Sequence, residues 1–492
     1  MITDSASFYS IFPNVMEGSR IDFVFHHPEL ETVREFRRSS VVKLGSYITT
    51  PEYGLSVSGL AEGGVGFINV QHINFNGEII FDPPTFIEDC SEHDLLKEGD
   101  ILIARTGHTL GKTTYINKDF FGYAFGSFCI RFSMLSENDF RGEFVVRFLN
   151  SNMGQLQIFM LKSGSGKYNI NSDQIRDICI PIIKPTYQDN IIKIVRNIKS
   201  EAVTLRNRAK DTQILAENMM LQELGIPIPP PISPNYFFKT GTEKQTLYFL
   251  ISPDDVTDRI HYLFFHPRYQ VLESLNNRCR TIPLRSNEVC REPIIRGEQP
   301  EYDETGAKIV LKTVDLKNGY IDYDNALRVS EDFFENHPNA QVHKGDILIA
   351  STGYVSMGKV DVYDREEPAM VDGHISIIRV KDEYDPYFIA YFLRSHLGQL
   401  QFEKWFTGSS GQIELQPGDL GNFRVPESIE GGVPLSEQER IAELVKRELD
   451  LARQLERQAE AKWQEAKDRF EEMIFPGTDR AYPNHPFHSL IT

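Results

Sequence analysis

The chain has 492 residues, enough for two to four domains with cores of their own, and its 40% hydrophobic and 25% charged content is that of a soluble globular protein. With 70 acidic against 52 basic residues its formal charge is −18, which argues against indiscriminate nucleic-acid binding and requires any DNA-reading face to be a local basic one. No apolar run can span a membrane, the opening MITDSASFYSIF is no secretion signal, and five cysteines without C-x-x-C spacing fit neither disulfides nor zinc, so a cytoplasmic chain with reduced thiols is expected.

The first informative stretch, SRIDFVFHHPEL (19–30), leads into a basic cluster of Arg34, Arg37, Arg38 and Lys43. FINVQHINFNGEI (67–79) alternates apolar and polar residues as a strand does and contains Asn76-Gly77, a hairpin signal. FDPPTF (81–86) is similar to the motif with which amino-methyltransferases hold a flipped base. Thr85, however, stands where the stacking aromatic is needed, so the segment reads as a Pro-rich turn. ILIARTGHTLGKTT (101–114) looks at first like a phosphate-cradling loop. That loop needs Gly, four residues, then Gly-Lys-Ser/Thr, and it opens a helix. Here Gly107 and Gly111 enclose three residues, and the text that follows is rich in aromatic and β-branched residues, as strands are. GQLQ at 154 and KSGSGKYNINSDQIRDICIP (162–181) complete a first globular unit, expected over 1–185.

From Ile191 a narrow apolar seam that includes Val195, Ala202, Leu205, Ala209 and Ala216 advances by threes and fours, so a long helix is expected over 186–225. Gly225 ends it, and the prolines of GIPIPPPISPN make 226–256 an extended linker.

The text then repeats. DRIHYLFFHPRY (258–269) matches 19–30, and Arg278, Arg280, Arg285, Arg291 and Arg296 follow it as the first basic cluster follows its own segment. IVLKTVDLKNGYI (309–321) matches 67–79, and DILIASTGYVSMGKVD (346–361) matches the 101–114 element. GQLQ returns at 398, and FTGSSGQIELQPGDLGNFRVP (406–426) matches 162–181. One register over so much chain is a duplication. In the second copy Val360 stands where a Mg²⁺-binding hydroxyl is required, so each copy breaks a different half of the P-loop requirement. The second unit is expected over 257–432, a second helix over 433–475 with Ile441, Val445, Ala452, Leu455, Ala459 and Ala466 on its seam, and a tail over 476–492. Val-Ala-Ala-Ala recurs at seven-residue spacing in both helices, at 195/202/209/216 and 445/452/459/466. Small seam residues let backbones approach closely, so the helices are expected to pack antiparallel, with the units related by a pseudo-twofold axis. At about 1.5 Å per residue, roughly 34 residues give a rod near 50 Å long.

Reading DNA needs Lys or Arg for phosphates and Arg, Lys, Asn, Gln, Ser or Thr for base edges. Beside the two basic clusters, the Gly-rich turns offer Arg105, His108, Thr109 and Lys112 in the first copy and Tyr354, Ser356 and Lys359 in the second. The neighbouring turns set Ser165, Lys167 and Asn169 against Ser409, Ser410 and Gln412. Polar turns that differ in side chain on a repeated scaffold are what two units need if they read different half-sites. No histidine shows metal spacing and no G-x-S-x-G elbow exists, so hydrolytic catalysis has no support. Two other readings stay open: an acidic two-domain protein-binding adaptor with a coiled coil and no DNA readout, and an NTPase or methyltransferase.

GDILIARTG and GDILIASTG, the openings RIDFVFHHP and RIHYLFFHP, the turns GSGKYNI and GSSGQIEL, and the helix entries PTYQDNIIKIV and PLSEQERIAELV, in duplicated order, resemble the specificity (S) subunits of type I restriction-modification systems. The first entry departs from the family's Glu-Gln, with Tyr187 before Gln188. The resemblance implies an α+β fold of two similar mixed α/β target-recognition domains, each followed by a long helix, the helices packing as an antiparallel coiled coil. It implies a noncatalytic subunit of the prokaryotic cytoplasm that recognises a bipartite duplex DNA target. Two methyltransferase (M) subunits, and restriction (R) subunits where a nuclease exists, would be directed to that target. S-adenosylmethionine, and ATP with Mg²⁺, would sit on those partners, with no cofactor in this chain.

Overall fold

The computed structural model describes residues 31–60, 64–81, 84–164, 168–227, 262–273, 275, 279–353, 355–409 and 412–475. They form two compact units, one of residues up to 203 with those from 459 onward, the other of 204–227 with 262–458.

In the first unit α1 (Glu31–Arg37) precedes β1 (Val41–Lys43), which pairs antiparallel with β9 (Cys179–Pro181). The main sheet is antiparallel throughout, in the order β2 (Glu52–Tyr53), β8 (Cys129–Ser133), β5 (Asp100–Ala104), β6 (Thr113–Tyr115). A smaller mixed sheet runs β4 (Phe86–Ile87), β3 (Val65–Ile68), β7 (Ala124–Phe125). The DILIA of β5 is buried at every position because both of its faces are covered, which is why it is an unbroken apolar run. Ile101 and Ile103 pack with Phe144, Val145 and Phe148 of α2 (Gly142–Leu149), while Leu102 faces Ile68 and Phe125. Then follow α3 (Asn152–Leu161), α4 (Ser172–Arg176) and α5 (Pro185–Glu223). The first part of α5 and the last turns of α11 (Leu435–Ile474) belong to this unit. They run antiparallel: Tyr187 Oη donates to Met473 O at 3.4 Å, and Lys462 Nζ lies 3.0 Å from Glu201 Oε2.

The alternating segment 67–79 is only partly strand. β3 stops at Ile68, because His72 Nδ1 accepts the Asn69 amide at 3.0 Å and turns the chain. The Asn76-Gly77 turn does form, with Ile73 and Ile79 bridged antiparallel and the Gly77 amide on Asn74 O at 3.1 Å.

The second unit repeats the plan. β10 (Thr281–Pro283) pairs with β21 (Arg424–Pro426), and the main sheet runs β11 (Ile295–Arg296), β18 (Ile375–Ile378), β15 (Ile347–Ala350), β16 (Val360–Val362). The smaller sheet has four strands, in the order β13 (Leu327–Val329), β12 (Lys308–Leu311), β17 (Ala369–Val371), β14 (Gln341–Val342). Helices α6 (Gln270–Glu273), α7 (Glu331–Asn336), α8 (Pro386–Arg394), α9 (His396–Trp405) and α10 (Pro417–Leu420) complete it, with a hairpin of β19 (Thr407–Ser409) and β20 (Gln412–Glu414). The rest of α5 and α11 lie antiparallel here too, with Arg440 Nη2 2.5 Å from Glu223 Oε2 and Arg206 Nε 3.5 Å from Glu456 Oε1.

Along the seams, Ile191, Val195, Ala202, Ala459 and Ala466 are buried in the first unit. In the second, Ala209, Ala216, Ile441, Val445, Ala452 and Leu455 are buried and Leu205 is half-buried. Among the described residues no helix is long and apolar enough to cross a membrane.

Candidate nucleic-acid interface

Each unit brings its two Gly-rich elements together. In the first, the turn after β5 closes on itself, with the Gly111 amide on Ala104 O at 2.9 Å and the Ala104 amide on Lys112 O at 2.8 Å. Its tip is tied to the hairpin that follows α3: the Gly107 amide donates to Tyr168 O at 3.1 Å and the Ile170 amide to Arg105 O at 2.9 Å. The second unit makes the same bonds. Gly358 donates to Ala350 O at 3.2 Å, Gly353 to Ile413 O at 3.0 Å and Leu415 to Ser351 O at 2.9 Å. Gly111 and Gly358 take φ of 86° and 81°, the left-handed region in which glycine is unstrained. These amides are occupied internally, and the turns lead into β6 and β16 rather than helices, so neither copy cradles a phosphate.

The repeated GQLQ is the fixture behind each turn. A Cβ on Gly154 would lie 2.1 Å from Phe148 O, and one on Gly398 2.1 Å from Leu393 O, so only glycine lets these helices follow so tightly. Gln155 Nε2 donates to Gly111 O and Gln399 Nε2 to Gly358 O, each at 3.0 Å. Gln157 exchanges two hydrogen bonds with the backbone of Cys179, both 2.9 Å, and Gln401 does the same with Arg424 at 3.0 and 2.6 Å. The entry glutamines also match: Gln188 Oε1 accepts the Arg141 amide at 2.8 Å and Gln438 Oε1 the Asp385 amide at 3.0 Å, so Tyr187 changes nothing in that contact.

On this shared frame the side chains differ. Arg105 donates through Nε to Ser127 O at 2.9 Å, and its guanidinium lies 4.9 Å from the centroid of the exposed Tyr53 ring. His108 is exposed at the tip, and Asn169 is half-buried beside Thr106, with which it forms a bridge. Thr109 is buried, its hydroxyl donating to Thr106 O at 2.8 Å, so it serves the turn. Lys112 lies 5.4 Å from the Phe75 ring, and burial lowers its pKa. In the second unit Ser356 and Lys359 are half-buried, burial lowers the Lys359 pKa as well, and Val355 stands out 87% exposed. Strand register places Arg296, opposite Ser376, where the first unit has Tyr53, opposite Ile130. Each turn therefore has a guanidinium beside it, but from different strands: Arg296 pairs with Glu414 and donates to Leu415 O at 2.6 Å. Tyr53, exposed Phe128 and His374, whose Nδ1 is 2.9 Å from Thr352 Oγ1, join these faces. Sequence reasoning missed them, although a comparison of strand ends between the copies would have pointed to each. Ser409 and Gln412 pair across the β19–β20 hairpin; Ser165, Lys167, Tyr354 and Ser410 lie outside the described residues.

The basic clusters fare differently from the turns. Arg34 is 3% exposed and 2.7 Å from Glu31, and Arg37 and Lys43 both pair with Asp177, at 2.7 and 2.5 Å. Burial opposes it, but these two cations hold the Asp177 carboxyl below its usual range. Arg34 and Arg37, with little side chain exposed, thus brace the fold instead of lying open for phosphates, whereas Lys43, beside Asp177, and Arg38, 3.9 Å from Glu31, keep exposed side chains. In the second cluster Arg280 pairs with Glu427 at 2.5 Å and Arg291 with Asp382 at 2.8 Å. Arg285 is exposed, and Arg278 lies outside the described residues.

No curated protein matches the chain. The solved structures similar to it include the following three. One comes from a study of complex assembly and conformational transition of the type I R-M system: 15% identity over 88% of this chain and 97% of that one, TM-score 0.43. The S subunit of the type I restriction-modification system from M. genitalium is 13% identical over 89% and 96%, TM-score 0.39. The HsdS subunit from Thermoanaerobacter tengcongensis is 16% identical over 88% and 96%, TM-score 0.31. The profile of the Type I restriction modification DNA specificity domain matches residues 62–216 and again 288–462, the two copies just described. The chain therefore belongs to the family of type I restriction-modification DNA specificity domains, carries two of them, and is a DNA sequence-specificity subunit.

Proposed function

We propose that the chain reads a split duplex target, one half per domain, and directs adenine-methylating M subunits to it, with R subunits joining where a nuclease exists. The observation that carries this reading is the doubled turn and hairpin: one backbone hydrogen-bond pattern bearing Arg105, His108 and Asn169 in one unit and Val355, Ser356 and Glu414 in the other. Equal frames with unequal side chains suit two half-sites of different sequence, because base identity is read by side-chain donors and acceptors while the frame sets register. The chain has no catalysis of its own in this reading; S-adenosylmethionine, and ATP with Mg²⁺, belong to the partners. Co-expression with the neighbouring methyltransferase, followed by single-molecule mapping of modified adenines, tests it. A two-part motif modified only when this chain is present is expected. Unmodified DNA despite a stable complex with an active methyltransferase would refute it.

A further inference from the structure

In the first unit Arg105, the residue after β5, is fixed at four points. Its amide donates to Phe128 O and its carbonyl accepts the Ile170 amide, both at 2.9 Å. Its Nε donates to Ser127 O, also at 2.9 Å, and the guanidinium carbon lies 4.9 Å from the centre of the Tyr53 ring. Among the described residues Nη1 and Nη2 have neither a hydrogen-bond nor an ion-pair partner. Glu52, beside Tyr53 on β2 and so on the other face of the strand, is engaged by Arg131 instead. What Arg105 presents is therefore a planar pair of donor groups, held in place before any ligand arrives.

The second unit builds the same place differently. Ser351 follows the repeated DILIA segment where Arg105 does in the first; it is fully buried, its hydroxyl 2.6 Å from Ser376 Oγ. Its backbone makes the same two bonds, the amide to His374 O and the carbonyl from the Leu415 amide, both at 2.9 Å. Arg296, at the Tyr53 position, is tied to Glu414 and to Leu415 O. A grip on phosphate would serve both domains alike, since the duplex backbone is the same at either half-site. A side chain that changes between copies on one frame is instead the mark of a base reader.

Resting on the split-target reading above, we infer that the half-site of the first domain contains a G·C pair whose guanine O6 and N7 accept from Nη1 and Nη2 of Arg105, with Tyr53 as the positioning residue for that contact. Guanine offers two adjacent acceptors on its major-groove edge, and a guanidinium meets them with two parallel donors; adenine sets an N6 donor in the place of O6 and is refused. The Nε bond and the cation–π contact with Tyr53 restrict the rotamers of a long side chain in advance, so little freedom is left to lose on recognition.

The test uses the full chain assembled with its methyltransferase, on duplexes carrying the motif mapped for wild type. Each guanine is replaced in turn by 7-deazaguanine, which pairs normally but lacks the N7 acceptor, and methylation rates are compared at subsaturating DNA. One guanine, in one half of the motif, should slow wild type about tenfold when replaced. The same replacement should leave Arg105→Ala unaffected, because that variant has already lost the contact. Tyr53→Leu should lose most of the tenfold effect at an unchanged unfolding temperature, and Tyr53→Phe, which keeps the ring, should restore it. A motif in which no guanine shows this sensitivity in wild type overturns the assignment without recourse to any variant. So does an equal effect of 7-deazaguanine on wild type and Arg105→Ala, or a uniform weakening of Arg105→Ala on every sequence, which marks a phosphate contact. An undiminished effect in Tyr53→Leu removes the positioning role. If wild type yields no motif at all, the specificity-subunit reading itself falls, and this assignment with it.

Discussion

Thr114 and Asp361 occupy one place in the two domains, opposite Leu102 and Leu348, and each secures its Asn-Gly turn with opposite hydrogen-bond polarity. Thr114 Oγ1 donates to Gly77 O at 3.0 Å; Asp361 accepts the amides of Asn318 at 2.9 Å and Gly319 at 2.5 Å. Those bonds hold Asn318 at a φ of 61°, uncommon for a residue with a side chain. Burial, opposed by Arg394, pushes the Asp361 carboxyl up to about 6. An acid whose folded-state value is raised contributes stability that is complete below its unfolded value, about 4, and is lost as pH rises through about 6. Asp361→Asn should abolish this decline: hydrogen exchange of β15 and β18 in the variant is expected to stay level between about pH 4 and 6 where wild type loses protection. Parallel profiles would exclude it. A second substitution probes the glutamine fixtures. Gln401→Leu strands the amide and carbonyl of Arg424 in a buried site, and a loss of about 2–4 kcal/mol is expected from denaturant midpoints. The sequence displayed GQLQ twice but not its task, because the partner is a backbone 23 residues away and a backbone leaves no mark in residue type.

At the level of elements, the glycines and the Asn-Gly pairs were legible because positive φ restricts residue choice, whereas the ion pairs that engage the basic clusters were not. Arg37 and Asp177 are 140 residues apart, and a count of nearby charges cannot reveal that one neutralises the other. The small sheet was likewise hard to see, since β3 and β4 are too short to show a period and the chain between them is held by local bonds of Asn69, His72 and Asn74. What remains open at the tips is specific to each copy. Removing Arg105 by substitution with alanine should relax one or two base pairs in one half of the methylated motif, at about 1–3 kcal/mol of discrimination, and leave the other half intact. Sequencing of modified adenines would show it, and loss of both halves together would mean that Arg105 supports folding rather than readout.

For the molecule as a whole, duplication was the most legible property, since two units with matching sheet orders must carry matching patterns of apolar runs and turns. The enlargement of the second small sheet was not legible, since the added β14 is two residues long and too short to show a period. Modularity at this scale predicts that replacing residues 258–430 with the equivalent stretch of a related subunit changes one half of the target and preserves the other, again by methylation mapping. A change in both halves would show that the domains do not read independently.

Gln155 and Gln399 grip the base of each turn from the helix behind it, on Gly111 O and Gly358 O, while His108 and Val355 stand exposed at the tips. The anchored and the exposed parts of the loop are thus different residues. A lineage could rewrite the tip, and with it the address on the genome, in single steps that the fold barely registers, so a new target need not wait for a new protein.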